Sequence, residues 1–184
     1  MSYRGREYEV KLLIPLESNL DIQDINQVLL DIFPPTRSIY ATSTDVYWTL
    51  PLGSEGQFIR ARNLDGRDNW QITVKSVDGI DRMEREIETT DNPIAMLRAA
   101  HGIPVGKLTK TYYTHWLASG EWDNVSAYVV KEAPELGVVV ELESTTTDRV
   151  LAMESELMLY FTGILQVTPT RAPGSLYTML LGGK

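Results

Sequence analysis

Residues 6–14 alternate strictly. Tyr8, Val10 and Leu12 fall on one parity, and Glu7, Glu9 and Lys11 on the other, which is the two-residue period of a strand. Over residues 19–33 the period changes. Leu20, Ile22, Ile25, Val28, Leu29 and Ile32 recur at helical spacing until Pro34-Pro35 stops them. Strand-like runs follow at 38–50, 57–64, 69–77 and 80–89. Asp65-Gly66 and Asp78-Gly79 stand between the last three, and Asp-Gly between alternating runs predicts hairpins. Asn92-Pro93 opens a short helix that runs to Ala100 and ends at His101-Gly102. Residues 107–118 and 121–130 read as another hairpin, turning at Ser119-Gly120. A strand over 137–144, a helix over 147–161 and a short terminal helix over 175–181 complete the pattern.

About eight strands, mostly joined by hairpins, with helices at punctuated places, define an α+β fold with an antiparallel sheet. Eight such strands can close into a β-barrel with the helices packed outside, which also removes exposed sheet edges. At 184 residues, 43% hydrophobic and 23% charged, residues 1–184 are expected to form a single domain. The chain has no cysteine and only two histidines, His101 and His115. Disulfides, thiolate zinc sites and a cysteine nucleophile are therefore excluded, and a multi-histidine metal site is disfavoured. The net charge of −8 argues against binding a nucleic-acid polymer through broad surface charge. The first residues carry charge where a signal peptide has its apolar core. No stretch approaches the ~18 apolar residues of a membrane span, so a cytoplasmic, membrane-free protein is expected.

The polar parity of five strands carries the candidate chemistry. Glu7, Glu9 and Lys11 share a face, as do Arg60 with Arg62 and Lys75 with Gln71 and Thr73. Arg82, Glu84, Glu86 and Glu88 share another, and so do Glu141 and Glu143. A half-buried antiparallel sheet produces the same alternation with its charges in water. The alternative is a sheet curled with this face inward, so that acids and bases line a tunnel beneath an outer apolar face covered by helices. Glutamates in such a lumen would collect a hard divalent cation. Arginines and lysines would hold phosphate oxygens.

The strands also carry a series of motifs in order. Glu7-Tyr8-Glu9-Val10-Lys11 resembles the ExExK signature of the CYTH superfamily, also called triphosphate tunnel metalloenzymes. Asp45-Val46-Tyr47 is similar to that family's D-x-Y segment, Phe58-Ile59-Arg60-Ala61-Arg62 to its LRxR strand, and Thr73-Val74-Lys75 to its TxK strand. Residues 82–88 resemble its RxExE strand, 136–143 its LGxFvExE strand, and 175–180 its SYxxLL helix. The resemblance spans most of the chain.

It implies an eight-stranded tunnel that binds a triphosphate with Mg2+ or Mn2+. Residue by residue, it assigns Glu7, Glu9, Glu141 and Glu143 to the metal, together with Glu86 and its neighbours Glu84 and Glu88. Arg60, Arg62, Lys75 and Arg82 would hold phosphate, with Lys11 completing the first motif. The family's basic strand often reads K-x-R, whereas Tyr112 follows Lys110 here. Lys107 and Lys110 both remain candidates. They have opposite parity, so a bulge would be needed to turn both inward. Asp123 is the nearest match to a further family aspartate.

A triphosphate carries about four negative charges, which must be neutralised as charge spreads in the phosphoryl-transfer transition state. Lys11, Glu9 and Glu86 are the candidates for proton transfer and catalysis. The expected function is metal-dependent hydrolysis of inorganic triphosphate, thiamine triphosphate or a nucleotide. A class IV-type adenylyl cyclase and a non-catalytic polyphosphate- or nucleotide-binding module are the alternatives. Trp48, Trp70, Trp116 and Trp122 can stack a ring but suit packing better, and Tyr177 also reads as packing. A small-molecule triphosphate is the expected partner, and a homodimer is left open.

Overall fold

The computed structural model describes residues 6–49, 57–64, 69–76, 81–120 and 122–181, without the side chains of residues 6, 64, 76 and 81–83. The Asp65-Gly66 and Asp78-Gly79 turns, Glu121 and the Arg82 side chain lie outside these. The fold is α+β, with a nine-stranded antiparallel sheet. The strands are β1 (Arg6–Ile14), β2 (Pro35–Thr49), β3 (Gln57–Leu64), β4 (Trp70–Ser76), β5 (Asp81–Thr89), β6 (Ile103–Leu117), β7 (Asn124–Val130), β8 (Val138–Ser144) and β9 (Thr170–Arg171). The helices are α1 (Ile22–Ile32), α2 (Ile94–Ala99), α3 (Thr147–Tyr160) and α4 (Leu176–Leu181). The sheet has one strand more than the eight expected. The extra strand, β9, is two residues long and pairs with Leu12 and Leu13 of β1, too short to leave an alternating pattern. β2 and β6 each run 15 residues and start earlier than their patterns suggest, at or beside a proline.

The chain divides into two compact units, and β2 and β6 run through both. The first unit comprises residues 42–110 with the two termini. Its strand order is β5-β4-β3-β2-β6. Trp48, Ile59, Ala61 and Leu97 form a buried cluster, with Val46, Ile72, Val74 and Ile94 packed around it. Leu97 and Ile94 belong to α2, so this helix covers the apolar parity of β2, β3 and β4. α4 meets the other parity. Tyr177 stacks on Phe58 at 4.8 Å and lies 6.0 Å from the Tyr47 ring. α2 ends on His101, whose φ of 57° is left-handed. Gly102 follows because a Cβ there would stand 2.8 Å from the Leu97 carbonyl oxygen.

The second unit comprises residues 7–41 and 111–172, with the order β2-β6-β7-β8-β1-β9. α1 starts at a capping box. The Asp21 carboxylate accepts from the backbone of Gln23 and Asp24, and the Asp24 carboxylate accepts from the Asp21 backbone. Two orphan donors of the first turn are thereby satisfied. Ile25, Val28 and Leu29 are buried as α1 packs on β7, and Val150, Met153 and Leu157 are buried as α3 packs on β8. The apolar parities of these strands, including Val125, Ala127, Val140 and Leu142, are fully buried. His115 is buried, with its ring nitrogens 2.8 Å from Ser38 Oγ and 2.8 Å from Asn26 Oδ1. Burial pushes its pKa down, so it joins α1 to the sheet as a neutral ring.

Gly137 stands just before β8 with a φ of 66°, and a Cβ there would stand 2.3 Å from the Ile14 carbonyl oxygen. Only glycine meets both conditions. Gly137→Ala is therefore expected to cost at least about 2 kcal/mol, measured as a fall in the denaturant midpoint at unchanged m-value.

Candidate functional site

In the second unit, the ladder between β1 and β8 sets Glu9 opposite Glu143 and Lys11 opposite Glu141. Glu7 lies on the same parity of β1. Like charges placed directly opposite one another destabilise a sheet. Here Glu7, Glu9 and Glu143 are all buried or nearly so, and one carboxylate oxygen from each lies within 4.8 Å of the other two. Lys11, also buried, contacts Glu9 and lies 2.9 Å from Glu141. β7 supplies the orienting groups. Asn124 Nδ2 donates to Glu143 Oε2 at 2.7 Å, and the Tyr128 hydroxyl donates to Glu141 Oε2 at 3.0 Å. Four carboxylates and one lysine thus share the charged face of two adjacent strands. Three oxygens at this spacing suit a hard divalent cation, which takes oxygen ligands.

In the first unit, the charged parity falls into rows across the sheet. Asp45, Arg62, Gln71 and Glu88 make one row; Tyr47, Arg60, Thr73 and Glu86 make the next; Lys75 faces Glu84 beyond it. Asp45 is completely buried. Arg62 grips it with two bonds, Nε to Oδ1 at 2.7 Å and Nη2 to Oδ2 at 2.8 Å, and Lys110 Nζ lies 3.6 Å from Oδ2. Burial alone would raise this carboxyl's pKa. The Arg62 guanidinium, joined by Lys110 and Arg60, outweighs burial and holds it well below the usual carboxylate range. Burial and the Asp45 charge together push the Tyr47 phenol up, so it stays protonated. Lys75 Nζ lies 2.8 Å from Glu84 Oε2. The approach is out of line for a hydrogen bond, so the pair is an ion contact.

Arg60 is different. It is 8% exposed, and its one hydrogen bond among the described residues runs from Nη2 to Thr73 Oγ1 at 3.1 Å. Its buried Nε has no acceptor among them, and no carboxylate among them lies within 4.0 Å. Glu86, 6% exposed and in the same row, likewise makes no hydrogen bond or ion pair among the described residues. A guanidinium withdrawn from water without an anion is costly, and the same holds for a carboxylate without a cation.

The charged faces are therefore not solvated surface. Glu7, Glu9, Lys11, Arg60, Lys75, Glu84, Glu86, Lys110 and Glu143 are all buried, while Arg62 and Glu141 are half-buried. Two candidates lie apart from these groups: Glu88 and Lys107 are exposed. In β6, Leu108, Lys110 and Tyr112 are buried, so Lys107 stands on the other parity. Asp123 closes the turn between β6 and β7, where its carboxylate accepts from Ser119, Ser144 and Arg149. Trp48 is core, Trp116 carries Arg37 over its ring at 4.3 Å, and Trp122 is exposed. Sequence reasoning missed three participants. Asp45 stood out only as part of a motif, although its parity with Tyr47 puts it on the charged face. Asn124 and Tyr128 gave no signal, because a ladder register is not written in either strand alone.

No family model and no curated protein matches the chain. Solved structures do match in fold. The PH1819 protein from Pyrococcus horikoshii OT3 is 20% identical with a TM-score of 0.67, covering 97% of this chain and 99% of that one. HpAC1 from Hippeastrum, a proposed adenylyl cyclase described as having a dominant triphosphatase activity, is 12% identical with a TM-score of 0.67, covering 98% and 97%. A proposed adenylate cyclase from Bacillus halodurans is 15% identical with a TM-score of 0.55, covering 92% and 97%. At these identities the likeness is one of fold, shared over nearly the whole chain. Among the described residues, no helix is long and apolar enough to cross a membrane.

The Asp45 carboxylate ionises more readily in the folded chain than in the unfolded one. Its stabilisation is therefore complete above the unfolded carboxylate pKa of about 3.9 and is lost as pH falls below it. Asp45→Asn leaves Arg62 and Lys110 buried without their counter-charge. It is expected to cost about 3–5 kcal/mol near neutrality and to flatten the loss of stability between about pH 4 and pH 2, measured by denaturant unfolding across that range.

Proposed function

We propose that the chain hydrolyses a triphosphate-containing substrate with the help of a divalent cation, and that residues 1–184 act as a single domain of the CYTH kind. The observation that carries this reading is Arg60, a buried guanidinium whose Nε has no acceptor among the described residues. A phosphate oxygen is the anion that its planar fork fits best. Lys75 and Lys110 add buried positive charge, and Arg62 adds a guanidinium already oriented by Asp45. Together they would neutralise the phosphates before attack and stay matched as charge spreads in the transition state.

Glu7, Glu9 and Glu143, with Glu141 beside them, would hold Mg2+ or Mn2+, and the cation would supply Lewis acidity and an activated water. Asn124 and Tyr128 fix the rotamers of the two late glutamates. Lys11 contacts Glu9 and lies 2.9 Å from Glu141, so its charge would offset part of the acid around the cation. Glu86, buried without a cation among the described residues, is suited to accept a proton from water, with Glu84 and Glu88 on the same parity of its strand. A small-molecule triphosphate then enters as substrate.

In a phosphate-release assay with Mg2+ or Mn2+, turnover of inorganic triphosphate, thiamine triphosphate or ATP is expected. Arg60→Ala is expected to lower kcat by about 100-fold or more, and Glu9→Gln to act similarly. Full activity in both variants would overturn the site. Cyclic AMP with pyrophosphate as the products from ATP would replace hydrolysis with cyclisation.

A further inference from the structure

Glu143 has two direct ladder partners on the charged face, Glu9 of β1 on one side and Asn124 of β7 on the other. Asn124 is 6% exposed and carries no charge. We infer that this amide sets the cation preference of the acidic group. It occupies one oxygen of Glu143 and so leaves a cation a single oxygen of that carboxylate, which favours Mg2+ over Ca2+. This role rests on the cation-binding reading of Glu7, Glu9 and Glu143.

Two observations in this one unit carry it. First, the Asn124 amide is fixed by two acceptors. Nδ2 donates to Glu143 Oε2 at 2.7 Å and to the Trp122 backbone carbonyl at 3.2 Å. A side-chain amide has two N–H donors, and both are committed. Turning the group over would set its oxygen against a carboxylate and a carbonyl, so the donor end is the one that meets Glu143. Second, the arrangement recurs in the neighbouring row. Glu141 Oε2 accepts from the Tyr128 hydroxyl at 3.0 Å and lies 2.9 Å from Lys11 Nζ, and Lys11 also contacts Glu9 Oε1. In Glu9, Glu141 and Glu143, one named oxygen is thus already engaged by a donor of the protein. A cation gripping any of them with both oxygens would compete with that donor. Ca2+ gathers about six to eight oxygens and takes carboxylates by one oxygen or by both. Mg2+ is smaller, demands about six, and keeps several waters among them. Donors that limit a carboxylate to one oxygen therefore cost Ca2+ more than Mg2+. Such bonds to a ligating carboxylate tune the metal without touching it. Asn124 is the donor that isolates the effect, because removing Lys11 would change the charge of the group and removing an amide does not.

The test uses the full chain without substrate and Mn2+ as the probe. Binding is followed as loss of the electron paramagnetic resonance signal of free Mn2+, and the bound ion is then displaced with Mg2+ or with Ca2+. The wild type is expected to need about 10-fold more Ca2+ than Mg2+ for half-displacement, and Asn124→Ala to bring the two concentrations within about twofold of each other. A looser fold alone would weaken both cations alike, so the ratio separates cation choice from stability. A wild type displaced as readily by Ca2+ as by Mg2+ overturns the role of Asn124, and this arm holds even where the variant fails to fold. An Asn124→Ala chain that keeps the wild-type ratio overturns it too. In both cases bound Mn2+ leaves the cation-binding reading standing. Failure of the wild type to bind Mn2+ overturns that reading and the role of Asn124 with it.

Discussion

A charge removed from water must be answered by another charge or by several hydrogen bonds, and the whole charged face of this sheet is built under that constraint. Asp45 shows the constraint satisfied within the protein. It is fully buried, yet two guanidinium bonds from Arg62 and the nearby Lys110 keep it ionised. Lys75 with Glu84, and Lys11 with Glu9 and Glu141, are answered in the same way. Arg60 and Glu86 are not so answered among the described residues. Glu7, Glu9 and Glu143 converge with acid outnumbering base on their strands. The face therefore holds charges that answer one another beside two, on Arg60 and Glu86, that none of the described residues answers. That division is more informative than the net charge of −8, which describes the whole chain and not one face.

The strand pattern was legible because parity is a two-residue rule, and Glu7, Glu9, Lys11, Arg60, Lys75 and Glu86 obey it. Parity says which side chains share a face, but it does not say which face is buried. Glu84, Glu86 and Glu88 share parity in sequence, yet the first two are buried and Glu88 is exposed. The difference depends on position along the strand, since Glu88 lies at its end. Likewise Lys110 and Lys107 were separable only by parity, and the burial of Leu108 and Tyr112 with Lys110 decides between them. β9 escaped because two residues make no pattern. His101 took the left-handed turn that a glycine usually supplies, because Gly102 was needed for the close approach to Leu97.

Partner choice across strands is the second kind of information that a single strand does not hold. Asn124 reaches Glu143 and Tyr128 reaches Glu141 because β7 and β8 pair in one register. Asp45 reaches Arg62 because they are direct partners between β2 and β3. These supporting groups fix the rotamers of the charged ones, and they are neutral residues or lone acids that no charge pattern singles out.

Gly137 has no side chain and touches no candidate ligand, yet it works as the spacing gauge of the acidic group. By letting the start of β8 press against the carbonyl of Ile14, it pins Val138 to Ile14. Counting back along the ladder then delivers Glu143 to Glu9. A slip of one residue would turn every carboxylate of β8 toward the helices. The convergence of the three carboxylates is thus set partly by an atom that is missing, seven ladder steps from the far end of the strand.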